Sequence, residues 1–514
     1  MPAPNSKTRR ILVCGAIPAL LLAACSTTPP APPEFRSDAG LYRAVNRIGW
    51  GATQAQLDEA QRAGWARYVD QQLKADPKAP LPAAAQQQVD AMSISQRGMA
   101  ELVQEVTELR KAQEVPVPTQ MELQRRRQAY QAALNLPARE AAERQVLRQL
   151  YSQQQLLEQT AWFWFNHFNV HQYKREVRVL LPDYEEHALR PQALGSFRTL
   201  LGAVARHPAM LRYLDNDQNG LNKPNENYAR ELLELHTMGV DGGYTQADVQ
   251  ELARVLTGFS VRTDPNPPKF NARLAPLYVR EGLYEFNPAR HDFGDKVLLG
   301  HTIKGRGAAE LDEVLDLLVD QPATARFISH KLAVYFLADQ PPQAVVDRMA
   351  ARFHETHGDI AATLRELLLA PDFASAALSK FKDPQHYLIS GLRAVYGEQV
   401  IANGQPVQAW LRRLGQGPYD KLTPDGYPQM AEAWNSPAQL TTRFELARQI
   451  GAGAPALFKG MAAAPKPALA DGALYRQTLQ AQLSPATRSA LAEAGGNVPL
   501  WNALLLSAPE FMLR

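Results

Sequence analysis

The chain has 514 residues, of which 45% are hydrophobic and 21% charged, and its 55 Lys and Arg residues nearly balance 52 Asp and Glu residues. This ordinary globular composition excludes wholesale disorder, collagen-like chains and coiled-coil fibres. The length suits roughly two to four domains of about 150 residues. A chain of this size buries a large core without needing disulfide bonds.

Residues 1–24 have the features of a secretory signal peptide. A basic start precedes an apolar stretch, Ile11 to Ala24, that is short for a membrane span. Its ending, Leu22-Ala23-Ala24-Cys25, resembles a bacterial lipobox, in which the Cys is lipidated and becomes the first mature residue. By the same resemblance, Ser26 after the Cys favours the outer membrane. We therefore expect a lipoprotein of the cell envelope, anchored through Cys25 and facing the periplasm; an ordinary signal with a chance Cys is the alternative.

This expectation changes the chemistry available to the mature chain. Cys14 would leave with the signal peptide and Cys25 would carry lipid, which excludes disulfides, thiolate metal sites and Cys nucleophiles. Loss of the signal's three basic residues leaves equal numbers of basic and acidic residues, without the surplus typical of a nucleic-acid binder. Residues 25–36 are Pro-rich and predict an extended tether.

Helical patterns dominate residues 37–514, which predicts a mainly α fold with long loops and few short strands. A Gln/Arg-rich stretch around residues 80–155 predicts long helices interrupted near Pro116 and Pro118. Residues 156–170 are aromatic and apolar on every side, which predicts a buried helix.

The segment from Asn225 to Gly239 is the most informative polar stretch. Asn225 is a suitable N-cap and Gly239 a suitable residue after the helix end. At about 100° per residue, Glu226, Arg230 and Glu234 form an acid–base–acid ladder along one face. The ladder has two interpretations: a solvated set of ion pairs worth a few tenths of a kcal/mol each, or two carboxylates held by Arg230 for acid–base catalysis.

Histidines are a second set of candidate site residues. His167 and His171 are four residues apart, the spacing of zinc-binding helices, although no Glu accompanies the first. His291 and Asp292 add a third imidazole and a carboxylate. A divalent metal at His167 is therefore a candidate cofactor. His236 lies on the apolar side of its helix, where a hydrogen-bonded core residue is the commoner role.

Several motifs resemble the bacterial family known as domain of unknown function 1800. They run from about Leu41 to the C-terminus and are Asn166-His167-Phe168, Met210–Asn216, Asn225–Gly239, Gly242–Val249, Leu256–Gly258, His291-Asp292, Lys296–Gly300, Pro322–Arg326, Pro424–Pro428, Trp434 and Ser507–Phe511. His171 lies outside the pattern. The resemblance implies one large helical domain over residues 37–514, with residues 80–155 as a variable insertion. It also implies a secreted protein that accompanies a secreted sulfatase-like partner, and it gives no activity.

Two functions are compatible with these residues. The first is a hydrolase that acts on an envelope or extracellular glycan through a His/Glu/Asp/Arg cleft, with two carboxylates or with a metal. Its predicted catalytic residues are Glu226, Arg230, Glu234, His291 and Asp292. Its predicted binding residues are Asn166, Asn216, Asn227, His236 and Tyr244. The second is a non-catalytic envelope binding or scaffold protein that works with the sulfatase-like partner, in which the polar motifs are caps, turns and buried networks.

Overall fold

The computed structural model describes residues 35–116, 119–375, 377 and 379–514. The predicted signal peptide, Cys25 and most of the predicted tether lie outside these residues. Phe35 belongs to the packed body, because its ring stacks on Trp65 with the centroids 5.3 Å apart. Phe35, near the end of the segment predicted as a tether, therefore contacts the helical body.

Helices build most of the described chain, which confirms the mainly α prediction. Those that precede the strands are α1 (Asp38–Ile48), α2 (Gln54–Ala63), α3 (Trp65–Leu73), α4 (Ala83–Asp90), α5 (Ser93–Gln96), α6 (Met99–Glu114), α7 (Gln120–Tyr151), α8 (Gln155–His167), α9 (Val177–Asp183), α10 (Phe197–Arg206), α11 (Pro208–Tyr213), α12 (Glu226–Glu231) and α13 (Gln246–Val255). Those that follow the strands are α14 (Ala309–Val319), α15 (Pro322–Phe336), α16 (Gln343–Glu355), α17 (Ile360–Leu368), α18 (Pro384–Tyr396), α19 (Gln405–Arg413), α20 (Pro437–Gly451), α21 (Gln480–Gln482), α22 (Pro485–Ala494) and α23 (Val498–Ser507). Single π-helical turns occur at Tyr184–Leu189, Leu232–Thr237 and Tyr475–Leu479.

The strands are short and lie between α13 and α14. They are β1 (Phe259–Val261), β2 (Val279–Glu281), β3 (Tyr284–Phe286), β4 (Lys296–Leu298) and β5 (His301–Ile303). The first three form an antiparallel sheet in the order β1-β3-β2, with Phe259 opposite Phe286. The last two form a hairpin that packs on α13.

The Gln/Arg-rich stretch forms α4 to α7. The break predicted near Pro116 and Pro118 is confirmed, because α6 ends at Glu114 and α7 begins at Gln120; Pro118 itself lies outside the described residues. The start of α7 is mostly exposed, and Met121 there is 79% exposed. Its second half buries Leu134, Leu147 and neighbouring residues. The helix is therefore exposed to solvent at its N-terminal end and part of the core at its C-terminal end.

Helix α8 lies at the centre of the core, as predicted from its aromatic sequence. Phe163 and Trp164 are fully buried, and their rings meet edge to face with centroids 4.8 Å apart. The Trp164 indole N–H donates to the carbonyl of Ala193 at 2.9 Å, so its polar atom is satisfied inside the core. This helix ends at His167, which brings Asn166 and His167 to the edge of the core.

No helix within the described ranges is long and apolar enough to cross a membrane.

Candidate functional site

The Asn225–Gly239 segment begins as an α-helix and changes to a π-helical turn. The Asn225 side chain accepts from the Asn227 N–H at 3.0 Å, which confirms the predicted N-cap. In the turn, the Met238 N–H donates to the Leu233 carbonyl at 2.8 Å, five residues earlier. Such turns widen the helix and are frequent at functional sites. The regular spacing assumed for the Glu226–Arg230–Glu234 ladder therefore does not continue to Glu234.

Glu226 and Arg230 are engaged with each other on the surface. The Arg230 guanidinium donates to Glu226 at 3.2 Å, and the Gln246 side chain bridges both, donating to Glu226 at 2.7 Å and accepting from Arg230 at 2.9 Å. Both charged side chains are about two-fifths exposed, at 42% and 37%. For this pair the geometry matches the solvated ion-pair interpretation.

Two other carboxylates of this segment are not paired with a cation. Glu231 and Glu234 are half-buried, and neither forms an ion pair within the part of the chain that the structure describes. Glu234 accepts from the Tyr244 hydroxyl at 3.4 Å. Burial and repulsion from Glu234 raise the pKa of Glu231 to about 6. A carboxyl group with that pKa exchanges protons close to neutral pH.

Helix α15 brings a cation to the same region. The Lys331 ammonium lies 5.4 Å from the centre of the Phe327 ring and forms no ion pair among the described residues. Burial lowers the pKa of Lys331 to about 8, and the Asp425 carboxylate opposes this shift. Asp425 also raises the pKa of Glu231. Charges from α12, α15 and the loop that contains Asp425 therefore act on one another.

The loop with Asp425 is fixed to the end of α8. The Asn166 amide accepts from the Tyr427 N–H at 2.7 Å and donates to the Tyr427 carbonyl at 2.9 Å. Asn169 donates to the carbonyls of Lys421 and Thr423 at 3.1 and 2.8 Å. These bonds fix the backbone on both sides of Asp425. The predicted binding residue Asn166 therefore holds the Asp425 loop in position.

His167 and His236 lie beneath this surface in the core. The His167 Nε2–H donates to the His236 carbonyl at 3.1 Å, and the ring centroids are 6.1 Å apart. Burial lowers the pKa of both rings, that of His236 to about 3, so both are neutral. The other nitrogen of His167 and both of His236 have no partner in the described ranges.

Among the described residues, His167 does not belong to a group of three side chains that could hold the predicted metal. One ring nitrogen of His167 carries the hydrogen donated to His236, so the ring offers only Nδ1 as a single metal ligand. Within the described ranges there is no group of three or more His, Cys, Asp or Glu side chains that is suited to hold a metal. We therefore base no part of the site on a metal ion.

His291 belongs to a separate, fully buried cluster. Its Nε2 lies 2.9 Å from Glu310, and its Nδ1 lies 2.8 Å from the Thr257 carbonyl. The Lys296 ammonium donates to the other Glu310 oxygen at 2.5 Å. Burial alone would raise the pKa of Glu310, but hydrogen bonds from His291 and Lys296 outweigh it and hold the pKa below its usual range. This cluster joins the β4 region to the start of α14.

The remaining predicted residues also form internal bonds. Asp292 pairs with Arg254 at 2.8 Å. Asn216 is fully buried and donates to the carbonyls of Leu256 and Phe259 at 3.2 and 3.0 Å. Asn227 donates to the Leu214 carbonyl at 3.2 Å. These contacts place Asp292, Asn216 and Asn227 among the residues that hold loops together.

Sequence reasoning missed three residues of the site. Glu231 lies within the Asn225–Gly239 motif, but the assumed helical spacing directed attention to Glu226. Asp425 lies in a recognisable Pro-Asp-Gly turn, which indicated a loop and not a site. Lys331 had no local signal, because its role depends on burial against residues that are distant in sequence.

A separate polar cavity of about 450 Å³ lies beside α4 to α6 and contains none of the predicted residues. Asp183 accepts there from His187 at 2.6 Å and from His207 at 3.0 Å. His187 is 71% exposed, so its pairing with Asp183 is that of a surface ion pair.

Substitution of Gly426 tests the docking of the Asp425 loop. Gly426 has φ +77°, and a Cβ there would lie 2.0 Å from the Asn166 carbonyl oxygen. Gly243 has φ +86° but open space around it, so Gly243→Ala is a matched control for backbone strain alone. We expect Gly426→Ala to lose roughly 1–3 kcal/mol more unfolding free energy than Gly243→Ala in urea titrations. Equal losses would contradict the docked loop.

Substitution of Glu310 tests the buried cluster. Glu310→Gln leaves the buried Lys296 ammonium without its counter-charge, and should cost about 3–5 kcal/mol of unfolding free energy at pH 7. Glu313→Gln, on the exposed side of the same helix, should cost less than about 1 kcal/mol. Because the pKa of Glu310 is depressed, the wild type should lose this stability as the pH falls from the usual carboxyl pKa towards the lower folded value. A Glu310→Gln variant that matches Glu313→Gln in urea unfolding at pH 7 would contradict this role.

No curated protein and no solved structure matches the chain. The model of one family, described as protein of unknown function (DUF1800), matches residues 43–513. This match covers nearly the whole chain and agrees with the motifs around α8 and α12. The protein therefore belongs to the DUF1800 family.

Proposed function

We propose that the protein is a hydrolase of glycans, with Glu231 as proton donor and Glu234 as the second carboxyl group. The observation that carries this proposal is the pair of half-buried carboxylates at the π-helical turn, neither of which forms an ion pair among the described residues. Burying a charge without a partner is costly and is retained mainly where it serves chemistry.

The surroundings of the pair suit glycosidic cleavage. This reaction commonly uses one protonated and one ionised carboxyl group on either side of the scissile bond. With a pKa of about 6, Glu231 holds a proton for a useful fraction of the time near neutral pH. The half-buried ring of Tyr244 beside Glu234 offers an apolar face on which a sugar can stack. Lys331 supplies a positive charge on the neighbouring helix.

A second candidate function is non-catalytic binding in the envelope, as a scaffold for a secreted sulfatase-like partner. It is favoured by the internal bonds of Asn216, Asn227, His291 and Asp292, which account for those polar residues without chemistry. Glu231 distinguishes the two proposals, because a scaffold does not require its ionisable group.

We also propose that the protein is lipid-anchored in the cell envelope, at the outer membrane and facing the periplasm. The support is the Leu22-Ala23-Ala24-Cys25 sequence after a basic and apolar start. Envelope or imported glycans are the polymers accessible from that location.

Glu231→Gln tests the catalytic proposal. It removes the proton donor, and hydrolysis of fluorogenic aryl glycosides and dye-labelled peptidoglycan should fall about 10²–10⁴-fold. Glu226→Gln is the matched control, because it makes the same chemical change five residues earlier, in a surface ion pair with Arg230, and should retain activity. Wild-type activity should decline as the pH rises through about 6, because Glu231 then loses its proton.

The same variant gives a readout that needs no substrate. Because the folded pKa of Glu231 lies above its ordinary value, protonation stabilises the fold, and this contribution is lost as the pH rises through about 6. Glu231→Gln should therefore be at least as stable as the wild type at pH 8. If Glu231→Gln and Glu226→Gln were equally active, or if the wild type hydrolysed neither the aryl glycosides nor the peptidoglycan, the scaffold function would be favoured.

Metabolic labelling tests the anchor. Radiolabelled palmitate should enter the wild type and be lost in Cys25→Ala. Cys14→Ala, which changes the Cys expected to leave with the signal peptide, should keep the label. Labelled Cys25→Ala protein would disprove the lipid attachment.

A further inference from the structure

A cavity of about 330 Å³ lies between α1 and the C-terminal segment, away from Glu231 and Glu234. Four cationic side chains line it: Arg43 and Arg47 from α1, Lys382 from the segment before α18, and Arg514. Lys382 is 3% exposed, Arg514 is 5% exposed and Arg47 is fully buried. Buried cations that share one cavity need negative charges or hydrogen-bond acceptors nearby to offset their loss of hydration.

The acidic groups nearby already have partners of their own. Glu510 lines the same cavity, and its carboxylate accepts from the Ser484 N–H at 2.7 Å and from the Thr487 hydroxyl at 3.1 Å. Asp383, next to Lys382, accepts from His386 at 2.9 Å. These partners are neutral and leave the carboxylate charges in place, but among the described residues the cavity is lined by four cations and only one acidic side chain, Glu510, so positive charge is in surplus.

The Lys382 ammonium has the weakest compensation. It lies 3.8 Å above the centre of the Phe511 ring, and it has no hydrogen-bond acceptor among the residues that the structure describes. Burial, followed by repulsion from Arg514 and Arg443, lowers the pKa of Lys382 to about 7. An anion in the cavity would supply the missing acceptor.

Arg514 and Arg43 also have guanidinium N–H groups that are not used in hydrogen bonds to the described residues. Arg514 donates through its two terminal nitrogens to His386 at 2.5 Å and to the Tyr335 carbonyl at 2.7 Å, while its buried Nε has no partner in the described ranges. Arg43 donates through Nε to the Ala374 carbonyl at 3.1 Å. Backbone and His386 contacts thus fix the guanidinium groups and leave other N–H groups for a ligand.

The apolar part of the wall limits the kind of ligand. Tyr42, Leu479 and Phe511 line the cavity beside the cations, and the volume is at the lower end of small-molecule pockets. We propose that this cavity binds a small organic anion, with a carboxylate or phosphate group held by Lys382, Arg43 and Arg514 and an apolar body against Phe511. This binding site is independent of the proposed hydrolase.

Calorimetric titration of the full-length chain tests the proposal with three probes at constant ionic strength: inorganic phosphate, phenyl phosphate and benzoate. We expect phenyl phosphate or benzoate to bind more tightly than inorganic phosphate, because only they fill the apolar part. The better of the two identifies the anionic group. Lys382→Gln should weaken this binding by about tenfold or more.

Lys269→Gln is the matched control, with the same change at an exposed position, and should leave binding unaltered. Because Lys382→Gln removes an uncompensated buried charge, the unliganded variant should melt no lower than the wild type. If that variant does not fold, Arg43→Gln at the half-buried edge of the cavity repeats the test. Equal binding by the cavity variant and Lys269→Gln, or no binding of any probe up to about 10 mM, would overturn the proposal.

Discussion

The burial of α8 on every side is the constraint on which the rest of the structure depends. Its aromatic residues fix the helix in the core, so the polar groups at its end must find partners there. Asn166 and Asn169 bind the loop around Asp425, and His167 binds the carbonyl of His236 in the π-helical turn. The two segments that carry the candidate acids are therefore attached to one rigid element, which is what a preorganised site requires.

Pairing separates the structural acids of this region from the functional candidates. Glu310 and Asp292 are buried or half-buried, and each is bonded to a cation. Glu226 is paired at the surface. Glu231 and Glu234 are half-buried without such partners, and the raised pKa of Glu231 follows from that arrangement. A buried acid without a compensating charge lowers the stability of the folded protein, but it keeps the reactivity that proton transfer needs.

Local features of the candidate site were predictable where they depend on neighbouring residues. The cap at Asn225 and the buried character of α8 follow from short-range hydrogen bonding and from side-chain pattern. The π-helical turn was not predictable, because apolar periodicity does not distinguish a bond to the fifth preceding residue from one to the fourth. Glu234 was therefore assigned to a ladder with Arg230, and Glu231 was passed over.

The sequence alone determined the mainly α fold, the family and the motif that contains the candidate acids, of which it identified Glu234 but not Glu231. Only the tertiary structure decided which of these side chains form ion pairs and which do not. Glu226 is paired with help from Gln246 on α13, and His291 meets Glu310 on α14, while Lys331 on α15 interacts electrostatically with Asp425. The physical reason is that the charge state of a side chain depends on burial and on partners that are distant in sequence, whereas fold class follows from the local pattern of apolar residues.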